Sequence, residues 1–374
     1  MAAVIITEAR TRLDHERFIK LSYRLYRHDP NWVPPLYSEM RQNMTPEGNV
    51  LLRLGPHAHL LAWKDRRVVG RLAVGIDENL NAQKGRKEGY ISLFEAEQDY
   101  AIAEALFDAA VDWLKERGMT GVTGPQSPSN GDDYRGLLVQ GFDSPPVLMN
   151  SYNPSYYVDF FERYGFAKFF DRFAFHYDLT KVPERYGRMV QVVQERYGFR
   201  VDPIDLKRIH AEFVDIKKIL DQSWPEEWPD MVPPTIEEIQ AEADRLISIA
   251  VPELIHIART SAGEPIGVAV ALPDYNQVLV KMGGRLFPLG WAKYLYWRRK
   301  ITGARLFILM VDKDWHRKGV SAALYHRTFC AARRLGYTHG EGGTVHEFNT
   351  KMVQDALRAG GKLYKVYRIY RKDW

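Results

Sequence analysis

The sequence predicts an α/β protein made of two tandem mixed-sheet domains related by internal duplication. His59, Gly70 and Asp77 recur as His256, Gly267 and Asp274, each 197 positions later. Asn153, Gly165 and Arg172 recur as Asn349, Gly361 and Arg368, each 196 later. A period of that size copies a whole domain, whereas repeats of about 20 to 50 residues would mean a solenoid. Each half also runs through the same order of segments, β-α-β-β-β-α-β-α-β, which implies a mixed sheet with helices on its faces. The division is expected near residue 180, with an N-terminal domain over 1–180 and a C-terminal domain over 181–374.

Short strands open the copies at residues 4–6 and 199–201, followed by helices at 15–26 and 206–220. Each helix runs into a loop rich in Trp and Pro, marked by Trp32 and Pro34 in one copy and Trp228 and Pro229 in the other. Alternating apolar segments around a tight polar turn, 59–63 with 68–74 and 254–258 with 265–272, read as antiparallel hairpins. His59 and His256 begin strands there and are expected to be structural. Strands at 90–94 and 306–311 then lead into helices at 102–117 and 320–335. Val320, Leu324, Ala331 and Leu335 share one helical face, and Gly118 and Gly336 close the two helices. Those glycines are 218 apart, so the second copy carries about 21 extra residues between Asp274 and His316, and the first about 22 between Gly118 and Asn153.

With 374 residues, 45% of them hydrophobic, the chain can bury two cores. Its one cysteine, Cys330, excludes an internal disulfide and suits a reducing compartment. The first residues reach Glu8 too soon for a signal peptide, and no apolar run approaches the roughly 20 residues of a membrane-spanning helix. A cytoplasmic location is expected, or a peripheral one on the inner membrane surface, and a monomer. Net charge of +5 suits a phosphate-bearing ligand or an anionic membrane. No basic tract stands out among the 47 acidic residues, which argues against nucleic acid. Spacing for a metal site is absent, so no metal is expected.

The strongest chemical signal is an apolar strand, 306–312, that runs through His316, Arg317, Lys318 and Gly319 directly into a helix at Val320 and Ser321. The first N–H groups of a helix lack intrahelical partners, and the helix dipole adds roughly half a positive charge there. A diphosphate suits such a site, with Arg317 and Lys318 as counter-charges and Gly319 allowing close approach. A solvated basic helix end is the plainer reading of the same residues.

This segment resembles the acyl-CoA signature of the GNAT superfamily of N-acyltransferases, Gln/Arg-x-x-Gly-x-Gly/Ala between strand and helix. His316 stands at the Gln/Arg position, Gly319 at the central Gly and Ser321 at the last position, so His316 and Ser321 are departures. The element order is similar to GNAT in both halves, and Asn349 falls at the family's asparagine after the fifth strand. The resemblance implies a tandem GNAT with acyl-CoA as co-substrate in the second copy, held by Met310, Val311, His316, Arg317, Lys318, Gly319, Val320, Ser321 and Asn349. It also implies an oxyanion donor in the backbone near Met310 or Val311. In the first copy Ala101 replaces the glycine, and Asp99, with Glu95 and Glu97, would repel a diphosphate. That copy is expected to have lost CoA binding.

Direct transfer to an amine needs a base for the amine proton and an acid for the thiolate. Along 341–347, Glu341, Gly343, Val345 and Glu347 share one face and His346 takes the other. Glu341, Glu347 and His346 are the candidate bases; surface carboxylates paired with arginines are the plain alternative. The family's usual acidic tyrosine falls at Ala356, which leaves Tyr364 and Tyr367 as substitutes.

The extra residues of the second copy include Trp291, Tyr294, Trp297, Arg298 and Arg299, a mixture that suits an interfacial helix on an anionic membrane or a helix packing its aromatics on a core. The loops at 29–35, 141–146 and 152–157 and the ending 364–370 resemble a bacterial tandem-GNAT group that contains the ceramide synthases. That resemblance implies N-acylation of a sphingoid long-chain base. A small polar amine as acceptor, or a non-catalytic acyl-CoA or lipid-binding module, are the alternatives.

Overall fold

In a computed structural model that describes residues 3–127, 134–181, 184–225, 228–246 and 248–374, elements follow in the expected order. The first copy gives β1 (Ile5–Glu8), α1 (Arg12–Leu25), α2 (Tyr37–Gln42), β2 (His57–Lys64), β3 (Arg67–Gly75), α3 (Glu78–Lys84), β4 (Glu88–Ala96), α4 (Tyr100–Lys115), β5 (Gly121–Gly124), β6 (Leu137–Gln140), α5 (Tyr156–Tyr164) and β7 (Ala167–Asp178). The second gives α6 (Glu184–Tyr197), β8 (Phe199–Pro203), α7 (Ile209–Ser223), α8 (Ile236–Leu246), β9 (Ile255–Thr260), β10 (Pro265–Pro273), α9 (Asn276–Met282), α10 (Gly290–Trp297), β11 (Gly303–Val311), α11 (Val320–Arg334), β12 (His339–His346), α12 (Thr350–Arg358) and β13 (Lys362–Asp373).

The chain divides into two compact units, and these do not coincide with the two copies. Unit 1 holds Met1–Arg172, Asn276–Arg299 and Lys365–Trp374; unit 2 holds Phe173–Tyr275 and Lys300–Tyr364. The chain passes from unit 1 to unit 2 between Arg172 and Phe173, inside β7, and two segments of the second copy belong to unit 1. Pairing explains both. The last strand runs antiparallel to the short β5, from Tyr370 opposite Gly124 to Asp373 opposite Gly121, and so covers an edge that would otherwise be open. The insertion is tied in where Tyr37 N donates to Gly284 O at 2.9 Å and Asn276 Nδ2 donates to Pro146 O at 2.8 Å.

Within unit 1, β1 to β4 pair antiparallel in order and β4 pairs parallel with β5. Helix α4 buries Ile102, Leu106 and Phe107 against that sheet. Within unit 2, β8 to β11 pair antiparallel in order and β11 pairs parallel with β12. Helix α11 buries Val320, Leu324 and Ala331; Leu335, expected on the same face, is the C-cap and lies 41% exposed.

The duplication holds to single contacts. A Cβ on Gly70 would fall 2.6 Å from Ile102 and 2.9 Å from Leu106, and one on Gly267 would fall 3.1 Å from both Val320 and Leu324. Each glycine lets the equivalent helix sit close on the equivalent strand. Glu97 N donates to Val69 O at 2.9 Å, and Asp312 N donates to Ile266 O at 3.0 Å. Ala96 and Val311 thus occupy the same place. His59 and His256 are both buried on strands; the first packs edge-on to Phe18, and the second has Nδ1 3.2 Å from Thr328 Oγ1. Burial pushes the His59 pKa down to about 3 and the His256 pKa down to about 4. Among the described residues no helix is long and apolar enough to cross a membrane, and no group of His, Cys, Asp or Glu is arranged to hold a metal ion.

Candidate active site

In unit 2 the parallel strands β11 and β12 pair only from Gly303 opposite His339 to Leu306 opposite Gly342. Beyond that point they splay. A bulge at the same level, where Val270 faces Ile308 and Ala271 faces Leu306, leaves Phe307 as the extra residue and bends β11. Past Leu306 the side of β11 that faces β12 has no register partner on that strand. Alternation along an antiparallel pair sends the amide of Asp312 toward β10, so that of Met310 goes the same way and those of Leu309 and Val311 face the splayed side. Of the two residues expected near the oxyanion, Val311 has the suitable direction. The side chains from Phe307 to Met310 stay half-buried.

The loop after β11 makes one 3₁₀ turn, Lys313–Trp315, capped by Asp312 accepting from Asp314 N at 2.9 Å. His316 then folds back, its Nε2 3.0 Å from Val311 O, which fixes the loop against the end of the strand. Arg317 is exposed, and Lys318 Nζ lies over the Trp315 ring at 4.6 Å. Among the described residues neither cation has a carboxylate within ion-pair distance. Gly319 is the N-cap of α11, with φ of +80° and no side-chain cap, and a Cβ there would fall 2.7 Å from Val193 of α6. Glycine is required there by conformation and by packing alike. Val320 is buried, while Ser321 is half-buried in the first turn. Asn349 caps a different helix, its Oδ1 accepting from Met352 N of α12 at 3.1 Å.

The candidate bases separate into two places. Glu341 faces Arg305 across the last paired rungs, with Arg305 Nε 3.3 Å from Glu341 Oε1 and both side chains nearly inaccessible. Arg305 also donates to Gly343 O from Nε at 3.1 Å and from Nη2 at 3.0 Å, and the Tyr364 hydroxyl donates to Glu341 Oε2. The expected leaving-group acid and one expected base are therefore bonded to each other at the root of the splay. Glu347 is half-buried in the turn after β12.

His346 ends the splayed part of β12. Its ring stacks on Trp228 with centroids 5.1 Å apart and 18° between planes, and Nε2 lies 3.5 Å from Asp230 Oδ1. Asp230, Trp228 and Arg305 are the residues that sequence reasoning missed. The Trp/Pro loop after α7 was visible as a motif, but its contact with a strand far along the chain was not.

The equivalent place in unit 1 is filled. Ala96 N donates to Tyr157 Oη at 2.8 Å, and Tyr156 Oη donates to Ala96 O at 2.9 Å. Glu95 is buried, 3.6 Å from Arg71, and accepts from Tyr26 Oη at 2.6 Å and Tyr157 Oη at 2.8 Å; burial raises its pKa against the pull of Arg71. Unit 2 has Met352 and Val353 at the positions of Tyr156 and Tyr157, Met310 for Glu95 and Val268 for Arg71. At the helix start, Asp99 caps α4 by accepting from Ala101 N at 3.1 Å and pairs with Lys64 at 2.8 Å, which lowers its pKa.

In the insertion, the residues expected at a membrane divide. Trp291, Arg298 and Arg299 are exposed. Tyr294 and Trp297 are half-buried, with Arg298 Cζ 5.6 Å from the first ring and Lys281 Nζ 5.2 Å from the second.

No family model matches the chain. It is 33% identical to the bacterial ceramide synthase of Caulobacter vibrioides (strain NA1000 / CB15N), over 99% of this chain and 98% of that protein. It is 31% identical to protein YghO of Escherichia coli (strain K12), over 96% of this chain and 93% of that one. Among solved structures, a tandem GNAT protein from the clavulanic acid biosynthesis pathway matches with a TM-score of 0.58 at 12% identity, covering 99% of this chain and 98% of its own.

Proposed function

The chain belongs to the bacterial ceramide synthase family of tandem GNAT N-acyltransferases, and from that premise we propose that it transfers an acyl group from acyl-CoA to the amine of a sphingoid long-chain base. The observation that carries the reading is the contrast between the two helix starts. One is capped by Asp99; the other opens on Gly319 beside Arg317 and Lys318, at the mouth of a splay.

On this reading the coenzyme's diphosphate rests on the N–H groups of Val320 and Ser321, with Arg317 and Lys318 balancing its charge. His316 holds the loop to β11, and Asn349 orders the start of α12 rather than touching the coenzyme. The thioester carbonyl lies along β11, where Val311 N–H donates to the oxyanion as it forms. The amine nitrogen bonds to the carbonyl carbon, and the carbon–sulfur bond breaks to release the CoA thiolate. The amine proton passes to His346, whose Nε2 lies 3.5 Å from Asp230 Oδ1 and whose ring stacks on Trp228. Glu341 and Tyr364, with Arg305, brace the point where the strands part. A membrane surface supplies the lipid acceptor. The acyl chain gains about 0.8 kcal/mol per buried CH₂, which favours long chains wherever an apolar groove receives them.

Incubation with mixed acyl-CoAs and a sphingoid base, followed by mass spectrometry of the lipids, tests this. A ceramide from long-chain donors is expected. Amide formation only on small polar amines, or only from short donors, removes the lipid acceptor; acyl-CoA binding with transfer to no amine points to a binding module.

A further inference from the structure

Helix α10 is built inside out. Gly290, Tyr294 and Trp297 share the face turned toward the protein, while Trp291, Leu295 and Tyr296 point outward at 50%, 46% and 56% exposure. A surface helix normally turns its polar residues to water, and one that is apolar all round is normally buried. The loop before it adds Leu286, Phe287 and Leu289 at 40%, 73% and 67% exposure. Six of the chain's exposed large hydrophobic residues thus fall within eleven positions. They also sit in the longest acid-free part of the chain. Between Asp274 and Asp312 there is no Asp or Glu, and there are seven Lys or Arg. Among the described residues, none of Lys281, Arg285, Lys293, Arg298 and Arg299 has an ion-pair partner.

We infer that residues 286–300 dock unit 1 on an anionic lipid bilayer, with Phe287, Leu289, Trp291 and Leu295 entering the interface and the flanking cations meeting lipid phosphates. Apolar area and like charge together fit that surface and few others. A second copy of the chain fits poorly, because a two-fold contact would set these cations against themselves. The acid-free run continues directly into β11, so the docked segment leads by chain connection into the strand of the proposed reaction site. The inference deepens the lipid-acceptor reading but is measured without acyl-CoA or acceptor, so either can fail alone.

The test is co-sedimentation of the full chain with vesicles of phosphatidylcholine alone or with one-third phosphatidylglycerol. Wild type is expected to bind the anionic vesicles at least about tenfold more tightly, with an affinity that falls as salt rises. A Phe287→Ser/Leu289→Ser/Trp291→Ser variant should lose at least about tenfold in binding while its circular dichroism and thermal midpoint stay close to wild type. Lys293→Glu/Arg299→Glu should erase the preference for anionic lipid and leave the fold intact. Equal binding to both vesicles, or serine-variant binding equal to wild type, overturns the proposal. A micromolar wild-type dimer that the serine variant dissolves would assign the patch to a second copy instead.

Discussion

At the start of α4 the Asp99 carboxylate accepts from Ala101 N and pairs with Lys64. At the start of α11, Gly319 offers no side chain, and Arg317 and Lys318 stand beside it. The strands before these helices differ in the same sense. Ala96 has its N–H and C=O occupied by Tyr157 and Tyr156, whereas the equivalent Val311 faces a splay with Val353 and Met352 at the tyrosine positions. One fold thus holds an anion-ready helix start in unit 2 and a self-satisfied one in unit 1. A capping carboxylate contributes about 0.5–2 kcal/mol, so Asp99 adds local stability at a helix start where Gly319 adds none. On the proposed function, duplication lets one half stabilise what the other leaves open for the coenzyme.

The largest test moves the plug. Met352→Tyr/Val353→Tyr should reproduce the unit 1 arrangement and weaken acyl-CoA binding by about 100-fold or more, near 2.7 kcal/mol, by calorimetry. Tyr157→Phe in unit 1 should leave that affinity unchanged. Wild-type affinity in the double variant would break the equivalence of Ala96 and Val311. His346→Ala should cut kcat by about 100-fold with acyl-CoA affinity intact; Asp230→Asn should cut it less. A loss of affinity instead would make His346 a binding residue.

The next test concerns what the halves share. His59 and His256 stay neutral in the fold down to pH values of about 3 and about 4, whereas an unfolded histidine takes a proton below about 6.5. The unfolded chain therefore binds more protons between those values, and stability present above pH 6.5 falls as the pH drops. At pH 5 each should cost about 2 kcal/mol relative to pH 7, read from denaturant midpoints. His59→Gln and His256→Gln should each flatten part of that slope; slopes that stay unchanged in both variants would dismiss the histidines as its source. Smallest is the charge test. Lys318→Glu should weaken acyl-CoA about tenfold at low salt, and Lys64→Glu in unit 1 should not change it.

The two copies were legible from their matched residues, and the hairpins and the helix after the 316–319 loop from period-two and helical patterns, which are local. Gly70 and Gly267 were visible as a matched pair for the same reason that makes them necessary, the close approach of a helix to a strand. That Lys365–Trp374 belong to unit 1 was not legible, since the pairing with β5 joins segments far apart in the chain. The half-burial of Tyr294 and Trp297 follows one of the two readings left open for the insertion, a helix packing aromatics on a core. Glu341 and Tyr364 read as separate base and acid, but their hydrogen bond joins residues 23 positions apart on different strands, which no local pattern shows. Asp230 lies in a loop whose partner, His346, follows far later, and no local pattern links them.

A structure of the full chain with bound acyl-CoA tests the central claim most directly. It should show the diphosphate within hydrogen-bond reach of the Val320 and Ser321 N–H groups, with the thioester beside Val311. A diphosphate at the start of α4, or one bound away from both helix starts, would contradict the account.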